Sequence, residues 1–197
     1  MIIRKEFNVE SAHVVRNCTS ERCSHSIHGH SAKIEVLLKG DTLDNAQMVY
    51  DFGLMKGTIK QFIDSMDHCY LLCNKDSDDF RDFIKSHCDR WIELPFNPSA
   101  EMLSIFVHHY VQHILDCTRT SNGEGHIEVI GVRYHETATG YAQSEKQDVD
   151  QYKKTYRGGD IIFSDGVVKD WSQDLKNIIF FDQVVLNPEV KQQINLK

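Results

Sequence analysis

The chain has 197 residues, 41% of them apolar and 26% charged, with a formal net charge of -7. That size and balance suit one globular domain with or without an extension. The acidic balance argues against a general nucleic-acid binder, no run of about 18 apolar residues offers a membrane span, and the charged start, Met1 to Phe7, is not a signal peptide; a cytoplasmic location is expected. The six cysteines, Cys18, Cys23, Cys69, Cys73, Cys88 and Cys117, form no CxxC pair. In a reducing compartment they read as free thiols, most of them buried small apolar side chains.

Residues 2–10 have strand character, with Phe7 and Val9 sharing a face and Ser11-Ala12-His13 at the end. Residues 14–27 read as a polar loop. His28-Gly29-His30 then enters a second strand, 30–40, that stops at Gly40-Asp41. Histidines at i and i+2 diverge on a helix but share a face on a strand. A strand, loop and strand of these lengths predict an antiparallel pair, which carries His13 to His28 and His30. Three neutral imidazoles with one open position is how catalytic zinc is held. Taken alone, His-Gly-His reads equally well as a polar turn.

From Asp51, a candidate N-cap, the spacing of Phe52, Met55, Ile59, Phe62, Ile63 and Met66 predicts a helix to about Ser65. Residues 69–97 are mixed, with a short helix over 80–87 and an extended piece over 91–95. Asn97-Pro98-Ser99-Ala100-Glu101 opens a second long helix with its apolar stripe on Leu103, Phe106, Val107, Tyr110, Val111 and Ile114. His108, His109 and His113 on that helix read as a solvated face. Asn122-Gly123 marks a turn, residues 126–135 alternate as a third strand ending at His135-Glu136, and 137–143 begin a fourth.

The order strand, strand, helix, helix, strand, strand predicts an α+β fold: an antiparallel four-stranded sheet with two helices on one face. Such a sheet has open edges, which oligomerisation into a closed barrel removes. Residues 144–197 form a C-terminal extension. Ser144 to Lys154 is polar, 160–169 reads as a hairpin around Ser164-Asp165-Gly166, and Ile178 to Phe181 is an apolar run. That apolar content predicts order.

Three further features carry chemistry. A thiol near a cation loses its proton readily and can serve as a base, which suits Cys23; a lone cysteine is more often simply buried. In Asp67-His68 the acid can orient the imidazole, although a helix-end charge pair looks the same. Glu136, at a strand end, can accept two hydrogen bonds from a planar N–H/NH2 edge or be merely solvated.

Together, Phe7-Asn-Val-Glu-Ser-Ala-His13, Cys23, His28-Gly-His30, Met48-Val-Tyr-Asp-Phe52, Met66-Asp-His68, Asn97-Pro-Ser-Ala-Glu101 and His135-Glu-Thr137 resemble, in order and spacing, the 6-pyruvoyl-tetrahydropterin synthase / 6-carboxy-tetrahydropterin synthase family. The resemblance covers about residues 1–143 and implies the tunnelling fold (T-fold), with 144–197 beyond its usual end. It implies zinc (Zn2+) ligands at His13, His28 and His30, a proton-abstracting Cys23, and an Asp67-His68 pair working with it. It also implies that Glu136 anchors a pterin ring and that Glu101 is a second glutamate near the pterin pocket. The implied partners are a small-molecule pterin substrate and further copies of the chain, in trimers or hexamers with active sites between subunits. The preferred activity is that of a zinc-dependent lyase, the 6-carboxy-5,6,7,8-tetrahydropterin synthase. It converts 7,8-dihydroneopterin triphosphate with release of acetaldehyde and triphosphate and feeds queuosine synthesis. The alternatives are the pyruvoyl synthase, a dihydroneopterin-cleaving relative (in which a glutamate such as Glu21 replaces the cysteine), and a non-catalytic pterin- or zinc-binding subunit. Departures are Ser99 where the family usually has threonine, a long 75–95 segment and the extension itself.

Overall fold

A computed structural model describes residues 1–191 and residue 194; the last positions of the extension, 192, 193 and 195–197, lie outside the described residues. Strand β1 (Ile2–His13) and strand β2 (His28–Gly40) form the long antiparallel pair, joined by a loop that contains one short helix, α1 (Glu21–His25). Their register pairs Phe7 with Ile34, Val9 with Ala32, Ser11 with His30 and His13 with His28. Phe7, Val9, Ala32 and Ile34 are buried. The period of two therefore puts all three histidines on the core face of the sheet.

The first predicted helix is shorter than its apolar spacing suggests. Asp51 accepts a hydrogen bond from the Gly53 N–H at 2.6 Å and starts only a 3-10 turn, Leu54–Lys56. Gly57 (ψ -123°) interrupts it, and helix α2 (Thr58–Asp64) follows. Strand β3 (Cys69–Cys73), helix α3 (Asp78–His87) and strand β4 (Trp91–Leu94) come next. Helix α4 (Ala100–Asp116) starts where expected, with the Ser99 side chain accepting from the Met102 N–H. The chain continues through strands β5 (Thr118–Arg119), β6 (Ile127–Thr137) and β7 (Gly140–Ser144). The rest is helix α5 (Lys146–Thr155), strand β8 (Ile162–Phe163), helices α6 (Asp165–Val168) and α7 (Gln173–Phe181) and strand β9 (Val185–Leu186).

The sheet is α+β in character but is not the four-stranded antiparallel sheet expected. Its order is β7-β6-β2-β1-β3-β4-β8, seven strands. The expected strands, β7, β6, β2 and β1, are consecutive and antiparallel. Strand β3 adds parallel to β1 over Ser11 to His13, β4 adds parallel to β3, and β8 closes the series antiparallel to β4. Helices α2 and α4 supply Phe62, Ile63, Phe106 and Tyr110 to the main core. Helix α3 lies on the opposite face, where Ile84 packs with Tyr70 and Leu72. The face opposite α2 and α4 is thus covered at this end.

Two expectations about side chains are corrected. His108 is a buried core residue, not part of a solvated face: its Nε2 meets the Val129 carbonyl at 2.9 Å and its Nδ1 meets Ser144 Oγ at 3.2 Å. The hairpin over 160–169 is instead β8 followed by α6, because the Ser164 hydroxyl caps a helix by accepting from the Val167 N–H. The apolar run Ile178 to Phe181 ends α7, and Trp171, Leu175 and Ile178 are buried in the main core.

Candidate functional site

His13, His28 and His30 converge. Their nearest ring nitrogens all lie within 4.8 Å of one another, and the ring centroids are 4.6 to 5.2 Å apart. His13 Nδ1 is 2.8 Å from the Pro98 carbonyl and His28 Nδ1 is 2.9 Å from the Ser26 carbonyl. A carbonyl only accepts, so each Nδ1 carries the proton and donates it, and each Nε2 presents a lone pair. Those two Nε2 atoms stand 3.2 Å apart. Two lone pairs at that separation repel unless a cation or proton lies between them. Glu136 Oε1 borders the group, 3.5 Å from His13 Nε2 and 3.7 Å from His30 Nε2. An acceptor set of this composition, with hydrogen bonds that orient two of the ligands, fits a bound divalent cation such as zinc.

Electrostatics agree. Burial, and then the neighbouring His28 and His30, push His13 down to about 4 from the usual 6.5, against a smaller opposing pull from the Pro98 carbonyl. The neutral form is the form that ligates. Burial likewise lowers His109, to about 4. For a histidine depressed in this way, the folded state is favoured above about pH 6.5, and that advantage is lost as pH falls towards 4. For His13 the effect is about 3 kcal/mol. Urea unfolding of the metal-free protein at about pH 7 and about pH 4.5 is expected to show falling stability, with a smaller fall in His13→Gln. Equal falls in both proteins would contradict this origin.

The Asn97-Pro98 segment explains how a distant helix start reaches the histidines. Asn97 Oδ1 accepts from the Arg16 N–H at 2.9 Å, and its Nδ2 donates to the Arg16 carbonyl at 2.6 Å. Pro98 is thereby held with its carbonyl on His13. Arg16 also donates to Asp76 and to the Ser24 carbonyl, and the Val15 N–H donates to the Cys23 carbonyl at 2.9 Å. The loop carrying Cys23 is therefore tied back to the chain two residues beyond His13. Sequence reasoning missed Arg16, and its signal is weak, because its side-chain partners are one backbone carbonyl and a distant loop acid. The cysteines divide by burial: Cys69 is pushed up to about 12 and Cys73 and Cys117 are raised. Cys23 is half-buried, and Glu21 beside it is exposed.

Asp67 and His68 follow α2. Asp67 Oδ1 accepts from the Glu10 N–H at 2.8 Å and its Oδ2 accepts from His68 Nδ1 at 2.9 Å. Burial alone would raise the Asp67 carboxyl, but these hydrogen bonds and the charge of Arg90 hold it below its usual range. His68 has φ of 51°, and its N–H donates to the Glu10 carbonyl at 2.6 Å. Its imidazole is exposed. Ser11 pairs with His30 on one side and Cys69 on the other, so the triad and the pair are about two strand spacings apart, on the order of 10 Å. His30 and His68 both border a cavity of about 550 Å³. Glu101 is exposed on the first turn of α4, and among the described residues its carboxylate has no hydrogen-bond or ion-pair partner.

Residues 2–147 match the profile of the family described as 6-pyruvoyl tetrahydropterin synthase. Two Helicobacter pylori proteins named 6-carboxy-5,6,7,8-tetrahydropterin synthase are similar to the chain. One is 40% identical over 87% of this chain and 86% of its own length; the other is 39% identical over 93% of each. Among solved structures, an uncharacterized protein of Wolinella succinogenes superposes with a TM-score of 0.59 at 20% identity, covering 74% of this chain and 98% of that one. The 6-pyruvoyl tetrahydropterin synthase of Caenorhabditis elegans superposes with a TM-score of 0.50, also at 20% identity, over 74% of this chain and 94% of that one. These structures share the fold.

Proposed function

Because the chain belongs to the 6-pyruvoyl tetrahydropterin synthase family, we propose that it is a zinc-dependent 6-carboxy-5,6,7,8-tetrahydropterin synthase. In this reading it acts on 7,8-dihydroneopterin triphosphate and releases acetaldehyde and triphosphate. The observation that carries the reading is the His13-His28-His30 cluster, with Glu136 at its edge. Its relatives along nearly their whole length bear the carboxy name.

His13, His28 and His30 would hold a zinc ion, which when bound would supply Lewis-acid polarisation to the substrate's side-chain oxygens. Everything else falls to the protein. Glu136 accepts the N–H/NH2 edge of the pterin and fixes how far the side chain reaches. Cys23, as thiolate, takes a side-chain proton. His68, held by Asp67, moves protons on the other side. The exposure of His68 supports a site completed between copies of the chain, as the family resemblance implies. The domain division into 1–143 and an extension over 144–197 belongs to the same proposal. No described helix is long and apolar enough to cross a membrane.

Removing the metal by chelation is expected to abolish consumption of 7,8-dihydroneopterin triphosphate, and about one zinc per chain should restore it. Turnover that persists in metal-free protein would overturn the zinc assignment. For Glu136→Gln we expect KM for the pterin to rise about 10-fold or more, since one charge-assisted pair is lost, with zinc content unchanged. Loss of zinc in that variant would instead make Glu136 a ligand.

A further inference from the structure

The Asp67-His68 turn is gripped by Arg90, which is itself tied to residues outside the family match. Arg90, the residue before β4, donates from Nε to the Asp67 carbonyl at 3.0 Å and from Nη2 to the Asp64 carbonyl at 2.8 Å. Its Nη1 donates to the Gly166 carbonyl at 3.0 Å and to Asp170 Oδ2 at 2.6 Å, both in the extension. One planar guanidinium, with five donors in fixed directions, thus ties the turn to α6 and the residues after it. A second tie lies alongside. Buried Trp171 donates from Nε1 to Ser65 Oγ at 2.7 Å, and the Ser172 N–H donates to Gln61 Oε1 at 3.0 Å, so the end of α2 is pinned two residues before Asp67.

The extension is also fitted against the start of β4. The Trp91 N–H donates to Ser164 Oγ, and the Ser164 N–H donates to the Trp91 carbonyl, both at 3.0 Å. Gly166 sits so close that a Cβ there would run into the Asp89 carbonyl oxygen. This contact, and not a hairpin turn, is what requires glycine. Between the two parts lies a cavity of about 480 Å³ bordered by His68 and Arg90 on one side and Asp170 and Trp171 on the other. His68 itself holds a left-handed backbone, which is uncommon for a residue with a Cβ.

We propose that Arg90 and the extension segment 164–172 form a brace that positions the Asp67-His68 pair for its proton transfers, Arg90 and Trp171 being positioning residues. The proposal rests on the reading of that pair as catalytic. Without the brace the turn relaxes, and the imidazole leaves its working geometry while the pterin and metal sites stay intact.

The test uses the full-length, zinc-loaded protein. Arg90→Lys keeps the charge but not the fork, and Trp171→Phe keeps the aromatic packing but not the donor. Each is expected to lower kcat about 10- to 100-fold, the scale of a small misplacement of a catalytic group. KM for 7,8-dihydroneopterin triphosphate and zinc content should stay within about two-fold. Ile178→Val, in the same extension but at a residue that makes none of the brace hydrogen bonds, serves as the stability control; it should lower Tm and leave kcat near wild type. If kcat in both brace variants stays within about two-fold of wild type, or if Ile178→Val loses as much kcat, the proposal fails. His68→Ala separates the levels: a fully active His68→Ala enzyme would sink the catalytic reading of the pair. An inactive one beside active Arg90→Lys and Trp171→Phe would sink the brace alone.

Discussion

Cys23→Ala is expected to abolish turnover, with a loss of about 10²- to 10⁴-fold in kcat, the range over which a positioned general base contributes. Zinc content should stay near that of wild type. Cys23 lies on the loop tied by its carbonyl to Val15, while the lone pairs that converge belong to His13, His28 and His30. The backbone hydrogen bond does not involve the thiol, so its removal leaves the loop in place. Metal analysis and steady-state kinetics on the same preparation make the check. Zinc lost together with activity would make the cysteine a ligand and remove it from the role of base.

His28→Ala is expected to lose the metal together with turnover. It removes the Nε2 that stands 3.2 Å from that of His13 and leaves a pair of imidazoles where a tetrahedral site needs three protein ligands. Loss of a mere hydrogen-bond partner of a ligand costs about 10- to 100-fold in metal affinity, so loss of a ligand itself should cost more. The variant should be purified with little zinc and show no turnover. The fold should persist, because His28 is only half-buried at a strand mouth and does not belong to the core. Full zinc retention in a folded His28→Ala protein would take His28 out of the site.

The contrast between these variants reflects what was legible in the residues. The i, i+2 spacing of His28 and His30 and the alternation of Phe7 and Val9 fix a face, and the succession strand, loop, strand points to an antiparallel partner. Between them they bring His13 to the pair, as the register now records. Strands β3 and β4 were not legible as strands of the same sheet. Cys69-Tyr-Leu-Leu-Cys73 is buried throughout, and a parallel strand covered on both faces loses the period of two that marks a half-buried one. Ser164-Asp165-Gly166 has the composition of a turn and the function of a helix cap, and its glycine answers to the distant Asp89 carbonyl, not to a turn. His108 carries a polar side chain on the core side of α4, and its partners, Val129 and Ser144, come from other elements. Arg90 works mainly through backbone carbonyls far along the chain, which carry no residue signature, and Arg16 pairs with Asp76 and Asn97, 60 and 81 residues away.

The placement of Glu136 sharpens the chemical reading. Its carboxylate lies within 4 Å of two of the three histidines. In our reading a pterin edge gripped there sets the side chain against the metal-binding face. His30 and His68 both border the cavity of about 550 Å³ that lies across the end of β1.

The most direct measurement is the product set formed when zinc-loaded protein is incubated with 7,8-dihydroneopterin triphosphate and resolved by mass spectrometry. The account predicts carboxy-tetrahydropterin with acetaldehyde and triphosphate in equal amounts. A pyruvoyl product without acetaldehyde, or tight pterin binding with no turnover, would contradict it.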